Sequence, residues 1–205
     1  MAELVVTTFV TLDGVMQAPG GRTEDESGGF THGGWQAPLF DDGAGAFMIE
    51  LFGKADAFLL GRRTYEIFAA YWSKVTDPSN PVAGPLNRLP KHVASRTLND
   101  VTWNASELMR DVANEVPLLK NRYPRQIQVH GSGKLVRTLL DSDLVDQLNL
   151  LIYPVVLGEG ERLFSTGVTP TAMRLTGHRV TKSGAIIATY KPNGRPTYGT
   201  FDTPK

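Results

Sequence analysis

The chain of 205 residues contains no cysteine, which excludes disulfide bonds, a thiolate nucleophile and cysteine-ligated metals. Its 21 basic and 21 acidic side chains cancel, so no charge excess indicates binding to nucleic acid or to an anionic membrane. No apolar run approaches the ~18 residues that cross a bilayer, and the N-terminus lacks the basic flank of a signal peptide. We therefore expect a cytoplasmic protein with neither nucleic-acid nor membrane partners.

Histidine is scarce as well, with only four in the chain: His32, His92, His130 and His178. No two of them have metal-ligand spacing and no HExxH motif occurs, so we expect no metal site. The sequence also lacks GxSxG, which removes support for an α/β-hydrolase nucleophile. His130 precedes a glycine turn, where it is either a buried, satisfied histidine or a ligand-facing one.

Hydrophobic residues make up 41% of the chain and charged residues 20%, a composition that supports a sizeable core. We expect one domain over residues 1–205. Strands are predicted at residues 4–11, 57–60, 91–95, 126–130 and 146–156, with a closing hairpin at 172–181 and 185–192. Helices are predicted at residues 46–54, 62–72, 106–123 with a break at Pro117, and 134–141. This alternation predicts an α/β fold: a largely parallel sheet with an antiparallel C-terminal edge.

Two long segments separate these elements. Residues 17–45 are rich in glycine, a composition that does not hold regular structure for long and is typical of a lid or binding loop. Phe30, Trp35 and Phe40 within it indicate that this loop packs against the domain. Residues 73–90 contain four prolines and are predicted to be a second loop.

Three glycine or arginine segments follow predicted strands in a fixed order: residues 58–64 (FLLGRRT), 93–96 (VASR) and 127–134 (IQVHGSGK). The first and third run from a strand through glycine into a helix, a geometry that directs free backbone N–H groups at an anion such as a diphosphate. The second provides Ser95 and Arg96, which suit a further phosphate. Together the three segments indicate a phosphorylated dinucleotide across the strand ends of an open α/β sheet.

Each segment alone also has a plain structural interpretation. The third is not a Rossmann fingerprint, because Val136 occupies the place of the third glycine, and not a P-loop, because Leu135 follows the lysine. It remains a tight turn with or without a ligand. Thr64 is equally suited to capping a helix, and the pair Asp13 and Gly14 is common in turns. Asp41 and Asp42 precede a predicted helix, where capping is the plain role, and Glu50 lies within that helix.

Taken in order, these segments resemble the dihydrofolate reductase-like family. They are similar in particular to the reductase domain of bifunctional riboflavin-biosynthesis deaminase/reductase proteins, known as the RibD C-terminal domain, and to its stand-alone bacterial relatives. The resemblance rests on residues 11–14 (TLDG), 60–66 (LGRRTYE), 94–96 (ASR), 130–135 (HGSGKL) and 144–164, which includes PVVLGEG. The zinc signature of the deaminase half is absent.

The resemblance implies an NADPH site. Gly61, Arg62 and Thr64 would hold the diphosphate where the helix starts, and Ser95 and Arg96 would meet the adenosine 2′-phosphate. The remaining implied contacts, to the diphosphate, to the nicotinamide side and in the loop above it, are Asp13, Gly14, Gly131, Ser132, Gly133 and Leu135.

The chain departs from dihydrofolate reductase at two points. Ser132 separates two glycines that are adjacent there, and serine tolerates fewer backbone conformations. The carboxylate that grips the pterin has three candidates here, Asp41, Asp42 and Glu50, and none aligns with it. The resemblance therefore does not extend to folate as substrate, and proton delivery is expected from one of these carboxylates or from water.

We expect an NADPH-dependent reductase, related to 5-amino-6-(5-phosphoribosylamino)uracil reductase, that acts on a pteridine, pyrimidine or ribosylaminopyrimidine-like small molecule. One alternative is a non-catalytic NADPH-binding sensor or partner module, and another is a structural α/β domain without a cofactor. A homodimer is expected, with the apolar strand at residues 148–156 either in the dimer contact or in the centre of the sheet.

Overall fold

Eight strands form one sheet in the computed structural model, which describes residues 1–201. The strands are β1 (Glu3–Thr11), β2 (Ala55–Gly61), β3 (Lys91–Ala94), β4 (Ser106–Met109), β5 (Gln126–His130), β6 (Gln147–Tyr153), β7 (Met173–Val180) and β8 (Ile186–Pro192). Their order across the sheet is β4-β3-β2-β5-β1-β6-β8-β7. All pairs from β4 to β6 are parallel, whereas β6–β8 and β8–β7 are antiparallel. The predicted fold class, a largely parallel sheet with an antiparallel C-terminal hairpin, is confirmed.

Helices cover both faces of this sheet. They are α1 (Asp42–Phe52), α2 (Arg62–Trp72), α3 (Ala83–Arg88), α4 (Val112–Arg122) and α5 (Gly133–Asp141). Helices α1, α2 and α3 pack on one face, in a core that includes Leu51, Tyr65 and Leu86. Helices α4 and α5 pack on the other, in a core that includes Val116 and Leu139. Within residues 1–201, no helix has both the length and the apolar character needed to cross a membrane.

Strand β1 shows why the N-terminal segment is so apolar. It lies between β5 and β6 near the middle of the sheet, with Val5 in the core under α1 and Leu4 and Val6 in the core under α4 and α5. A strand buried on both faces needs apolar side chains at successive positions rather than in alternation.

The segment at residues 106–123 was predicted wrongly as a helix broken at Pro117. Its first four residues form the edge strand β4, and α4 then continues through Pro117 as a single helix. Pro117 is exposed, so the carbonyl that loses its helical N–H partner faces water and the cost of the missing bond is reduced. The chain enters β4 through Ala105, which has a positive φ of 55°.

Two smaller differences concern helix limits. The loop predicted at residues 73–90 contains the short helix α3. Helix α1 begins at Asp42 rather than at residue 46, because the Asp41 carboxylate accepts a hydrogen bond from the backbone N–H of Ala44 and caps the helix. The strand predicted at residues 146–156 is β6, which is shorter, Gln147–Tyr153, and pairs with β1 and β8 on its two sides. Its backbone edges are therefore used inside the sheet.

Candidate functional site

The parallel arrangement gathers the three predicted segments at one edge of the sheet. The C-terminal ends of parallel strands meet at the same edge. Strands β2, β3 and β5 end there at Gly61, Ala94 and His130, and β1 and β6 end beside them at Thr11 and Tyr153. The glycine turns that precede α2 and α5 are therefore neighbours, although about 70 residues separate them in the chain.

The Ser132 hydroxyl joins the starts of these two helices. It accepts a hydrogen bond from the backbone N–H of Gly61 at 3.0 Å and lies 2.9 Å from the Thr64 hydroxyl. A Cβ on Gly61 would come within 3.3 Å of the Ser132 side chain. Glycine at position 61 thus permits the close approach of α2 to α5.

The turn before α5 has an uncommon backbone. Gly131 has a φ of 55°, and Ser132 follows with φ 60° and ψ 49°. A non-glycine residue in the left-handed region carries strain, which tends to persist where function or the surrounding structure requires it. Ser132, which separates the two glycines of this turn, therefore adopts the left-handed conformation itself, and its hydroxyl binds the start of the neighbouring helix.

Helices α2 and α5 lack a capping side chain at their first residues, unlike α1 and α4. The caps of α1 and α4 are the carboxylates of Asp41 and Asp111. Gly61 precedes α2 and Ser132 precedes α5, and neither makes a side-chain bond to the first turn of its own helix. Two adjacent helix starts with free backbone N–H groups suit an anion, because the unbonded amides and the helix dipole both favour negative charge.

Met16 covers the glycine turn from the other side. A Cβ on Gly133 would lie 2.8 Å from the Met16 sulfur, so the turn and the segment after β1 pack closely. Leu135, in the first turn of α5, is buried and lies close to Gly61. Sequence reasoning did not find Met16, because a lone methionine after a strand carries no recognisable signal.

The loop after β3 lies next to α2 and is held by its own polar groups. The Ser95 hydroxyl accepts hydrogen bonds from the backbone N–H groups of Thr97 and Leu98 at 3.3 and 3.0 Å. The Arg62 guanidinium donates to the Thr97 hydroxyl at 2.9 Å and to the Glu66 carboxylate at 2.9 Å. Ser95 is therefore largely buried as a loop organiser, while Arg96 is exposed beside it.

Arg110 also reaches this loop and was missed from the sequence. Its guanidinium donates to the carbonyl oxygens of Ser95 at 2.6 Å and Leu98 at 2.5 Å. The predicted helix at residues 106–123 concealed this contact, because only the pairing of β4 with β3 brings Arg110 next to Ser95.

Asp13 ties the loop after β1 to the segment after β6. Its carboxylate accepts hydrogen bonds from the Thr11 hydroxyl at 2.6 Å and from the backbone N–H of Gly158 at 2.9 Å, and Arg162 lies 3.3 Å away. The hydrogen bond from the Thr11 hydroxyl, together with those from the backbone amides of Gly158 and Leu157, holds the pKa of Asp13 well below its usual range. Gly14 follows with a φ of 81°. Its turn brings the Val15 carbonyl back to accept a hydrogen bond from the backbone N–H of Thr11.

The glycine-rich segment at residues 17–41 packs over this edge without forming a strand. Trp35 donates its indole N–H to the Gln17 carbonyl at 2.8 Å and meets the ring of Tyr153 edge-on at 5.9 Å. Gln36 donates its side-chain N–H to the Tyr153 hydroxyl at 3.1 Å. Tyr153 is fully buried, and this burial raises its pKa. The aromatic residues of the loop thus cover a buried phenol at the end of β6.

A salt bridge connects the same loop to α2. The Arg63 guanidinium donates to the Asp25 carboxylate at 2.8 Å and to the Ser27 hydroxyl at 2.6 Å. The Gln17 side chain reinforces this contact by donating to the Ser27 carbonyl at 2.9 Å. The loop is therefore latched beside the start of α2.

The three candidate catalytic carboxylates lie at different places on α1. Asp41 accepts hydrogen bonds from the backbone N–H groups of Ala44 and Ser183, which hold its pKa well below the usual range. Glu50 accepts from Lys54 and Arg179, and these partners lower its pKa to about 2. Asp42 is exposed in the first turn. The sheet-facing side of α1 is apolar, with Ala44, Phe47, Met48, Leu51 and Phe52 buried.

His130 lies directly before the glycine turn and is buried at the end of β5. Its ring stacks on Phe52 at 4.8 Å, and its Nε2 lies 3.3 Å from the Gln128 side-chain oxygen. Burial lowers its pKa to about 4, so the ring is neutral near pH 7. Residues 1–201 contain no cluster of three or more histidine or acidic side chains that suits a metal ion.

Comparison with known proteins agrees with this geometry. The sequence profile of the RibD C-terminal domain matches residues 2–187. The chain belongs to the RibD C-terminal domain family. The uncharacterized protein YyaP of Bacillus subtilis (strain 168) is 27% identical over 198 residues, which cover 94% of this chain and 96% of that protein.

Solved structures share the fold of this RibD C-terminal domain protein. A putative riboflavin biosynthesis protein from Shewanella sp. PV-4 gives a TM-score of 0.69 at 18% identity, over 94% of this chain and 99% of its own. A pyrimidine reductase-like protein from Corynebacterium diphtheriae gives 0.63 at 16%, over 94% and 92%. Dihydrofolate reductase from Enterococcus faecalis, complexed with NADP(H) and RAB-propyl, gives 0.60 at 15%, over 93% and 96%. The expected dihydrofolate reductase-like fold is confirmed.

Proposed function

We propose that this chain is an NADPH-dependent reductase that acts on a small pteridine, pyrimidine or ribosylaminopyrimidine-like molecule. The observation that carries the proposal is the pair of uncapped helix starts, α2 and α5, joined by Ser132 at the edge where the parallel strands end. Family membership supports a reductase, and a related fold binds NADP(H) in Enterococcus faecalis dihydrofolate reductase.

The residues at this edge fit a phosphorylated dinucleotide. The amides that begin α2, with Gly61, Arg62 and Thr64, would hold the diphosphate from one side. Those that begin α5, with Gly131, Ser132, Gly133 and Leu135 around them, would hold it from the other. The close packing of Gly61 on Ser132 leaves the two amide groups side by side, as one bridging anion requires.

The 2′-phosphate is assigned to the loop after β3. Ser95 organises this loop through its hydroxyl, and Arg96 is exposed at its surface. A guanidinium binds phosphate through two parallel N–H bonds, which gives both affinity and geometric selectivity. The loop is therefore proposed to favour NADPH over NADH.

The nicotinamide and the substrate are assigned to the side of this edge that the residue 17–41 loop covers, at the ends of β1 and β6. Bound NADPH supplies the hydride. Asp13 and Gly14 begin the loop on this side, and Trp35 and Gln36, which contact Gln17 and Tyr153, would cover the nicotinamide and exclude water. Proton delivery by Asp41, Asp42, Glu50 or water remains a prediction.

Two measurements test this function. The first is fluorescence titration with NADPH, in which we expect saturable binding. The second is stopped-flow NADPH oxidation against a panel of pteridines, pyrimidines and ribosylaminopyrimidines, in which we expect turnover with at least one class. Absence of NADPH binding would overturn the proposal.

The second candidate function is a non-catalytic NADPH-binding sensor or partner module. The observation that favours it is the apolar sheet-facing side of α1, because Asp41 and Glu50 are both engaged with other partners. This alternative predicts tight NADPH binding without oxidation by any compound of the panel.

We also propose a homodimer. Strand β7 is the edge of the described sheet, and three exposed apolar side chains lie on β7 and β8: Leu175, Val180 and Ile186. Exposed apolar surface at a sheet edge favours association with another chain.

A further inference from the structure

The loop after β3 owes its shape to a residue outside the motifs used for the cofactor site. This loop, residues 95–98, leaves the sheet at the end of β3 and turns beside the start of α2. Arg110 follows the neighbouring edge strand β4 and binds the carbonyl oxygens at both ends of the loop, Ser95 and Leu98, at 2.6 and 2.5 Å. One planar guanidinium thus fixes the distance between the two ends.

The contact leaves positive charge at the loop. Within residues 1–201, neither Arg96 nor Arg110 forms an ion pair with a carboxylate. Arg62 approaches from α2 and shares its guanidinium between Thr97 and Glu66. Three guanidinium groups therefore lie around four residues of chain, two of them without a paired carboxylate.

The nearby acidic groups are engaged at the start of α4. Asp111 accepts hydrogen bonds from Asn114, which are the main cause of its lowered pKa, with a smaller contribution from the charge of Arg96. Glu115 accepts from the backbone N–H groups of Arg110 and Asp111 at 3.0 and 2.7 Å. These carboxylates hold the chain that carries Arg110, so they fix its direction toward the loop.

We propose that Arg110 is a positioning residue for the 2′-phosphate of the dinucleotide. It holds the Ser95 and Leu98 carbonyls together, so that Arg96 faces the 2′-phosphate, and thereby sets the preference for NADPH over NADH. The inference rests on the proposed function, because it concerns the phosphate end of the same cofactor site.

The test is isothermal titration calorimetry with NADPH and with NADH on the full chain and on Arg110→Ala. Without its two hydrogen bonds the loop no longer holds Arg96 in place, so affinity for NADPH falls by about tenfold. Affinity for NADH stays within about twofold, since NADH has no phosphate at this loop. Arg174→Ala is the matched control, because Arg174 is exposed on β7 at the opposite edge of the sheet, and it leaves both affinities unchanged.

The ratio of the two affinities separates this role from a general structural one. An Arg110→Ala variant that loses affinity for NADPH and NADH equally, or that keeps both affinities, overturns the inference and leaves the proposed function standing. If the unaltered chain binds neither nucleotide, the proposed function is wrong and the inference falls with it. Should Arg110→Ala not fold, Arg110→Gln removes the charge and keeps one amide donor, and an unchanged NADPH-to-NADH ratio in that variant overturns the inference equally.

Discussion

Ser132 is the residue on which the geometry of the proposed anion site depends most. Its left-handed backbone is strained, and its hydroxyl satisfies the backbone N–H of Gly61. Ser132→Ala keeps the strain and leaves that N–H unsatisfied, so we expect the free energy of unfolding to fall by about 1 to 3 kcal/mol. Urea denaturation measures this change.

Ser132→Gly is the matched control for the backbone. Glycine loses the same hydroxyl but relieves the left-handed strain, so it should be more stable than the alanine variant by about 1 kcal/mol. Equal stability of the two variants would show that the backbone at this position is not strained.

Arg96 provides a direct residue-level test of cofactor preference. Arg96 is exposed beside the loop after β3, and Arg96→Ala removes a guanidinium that would bind the 2′-phosphate. We expect affinity for NADPH to fall by about tenfold and affinity for NADH to change little. Fluorescence titration with both nucleotides measures this, and equal losses for the two would remove the role assigned to Arg96.

His130 gives the protein a pH-dependent stability. Its pKa is about 4 in the fold against 6.5 for a free histidine, so the unfolded chain binds more protons between these values. The stability from the neutral ring is complete above pH 6.5 and is lost as pH falls toward 4. Between pH 7.5 and 5, we expect this residue to lower the free energy of unfolding by about 2 kcal/mol.

Urea denaturation at the two pH values checks this contribution in His130→Phe, which keeps a ring against Phe52 but cannot take up a proton. The pH dependence should shrink in that variant. His178→Asn is the control, because His178 is exposed on β7. An unchanged pH dependence in His130→Phe would contradict the assignment.

At the scale of elements, the strands and helices on either side of the two glycine turns were the most predictable part of the chain. Residues 126–130 match β5 and residues 62–72 match α2 without any shift. An apolar run that ends in glycine indicates both where a strand lies and where it ends. The three segments for the cofactor were therefore assigned to one edge from the sequence alone.

The edge strand β4 was not predictable in the same way. Its four residues, Ser106–Met109, alternate weakly and are partly exposed, and neighbouring residues favour a helix. Only pairing with β3 makes this segment a strand. Arg110 was missed for the same reason, since its contacts with the loop at residues 95–98 depend on that pairing.

The loop at residues 17–41 is expected to depend on its latch to α2. Asp25→Asn removes the charge that pairs with Arg63, so the loop should detach more often from the start of α2. We expect faster cleavage within this loop by a dilute protease than in the unaltered chain. Glu26→Gln, a change at an exposed neighbour in the same loop, is the control, and equal cleavage of the two variants would contradict the latch.

At the scale of the whole molecule, β6 lies inside the sheet, so a dimer must use another surface. Strand β7 and its neighbour β8 expose Val180 at 69% and Ile186 at 41%, and these two residues are paired across the hairpin. Val180→Glu places a charge in this surface and should convert a dimer into a monomer. Size-exclusion chromatography with light scattering measures the mass, with Leu118→Glu on the exposed side of α4 as control. A monomeric unaltered chain would contradict the proposed homodimer.

The fold brings two uncapped helix starts and the loop bound by Arg62 and Arg110 to one edge of a parallel sheet. Membership of the RibD C-terminal domain family supports a reductase, and we propose that its cofactor is NADPH. Titration of the purified chain with NADPH, followed by nucleotide fluorescence, tests this claim most directly. We predict saturable binding with a dissociation constant at or below about 100 μM and weaker binding of NADH. No binding of NADPH at millimolar concentration would contradict the account.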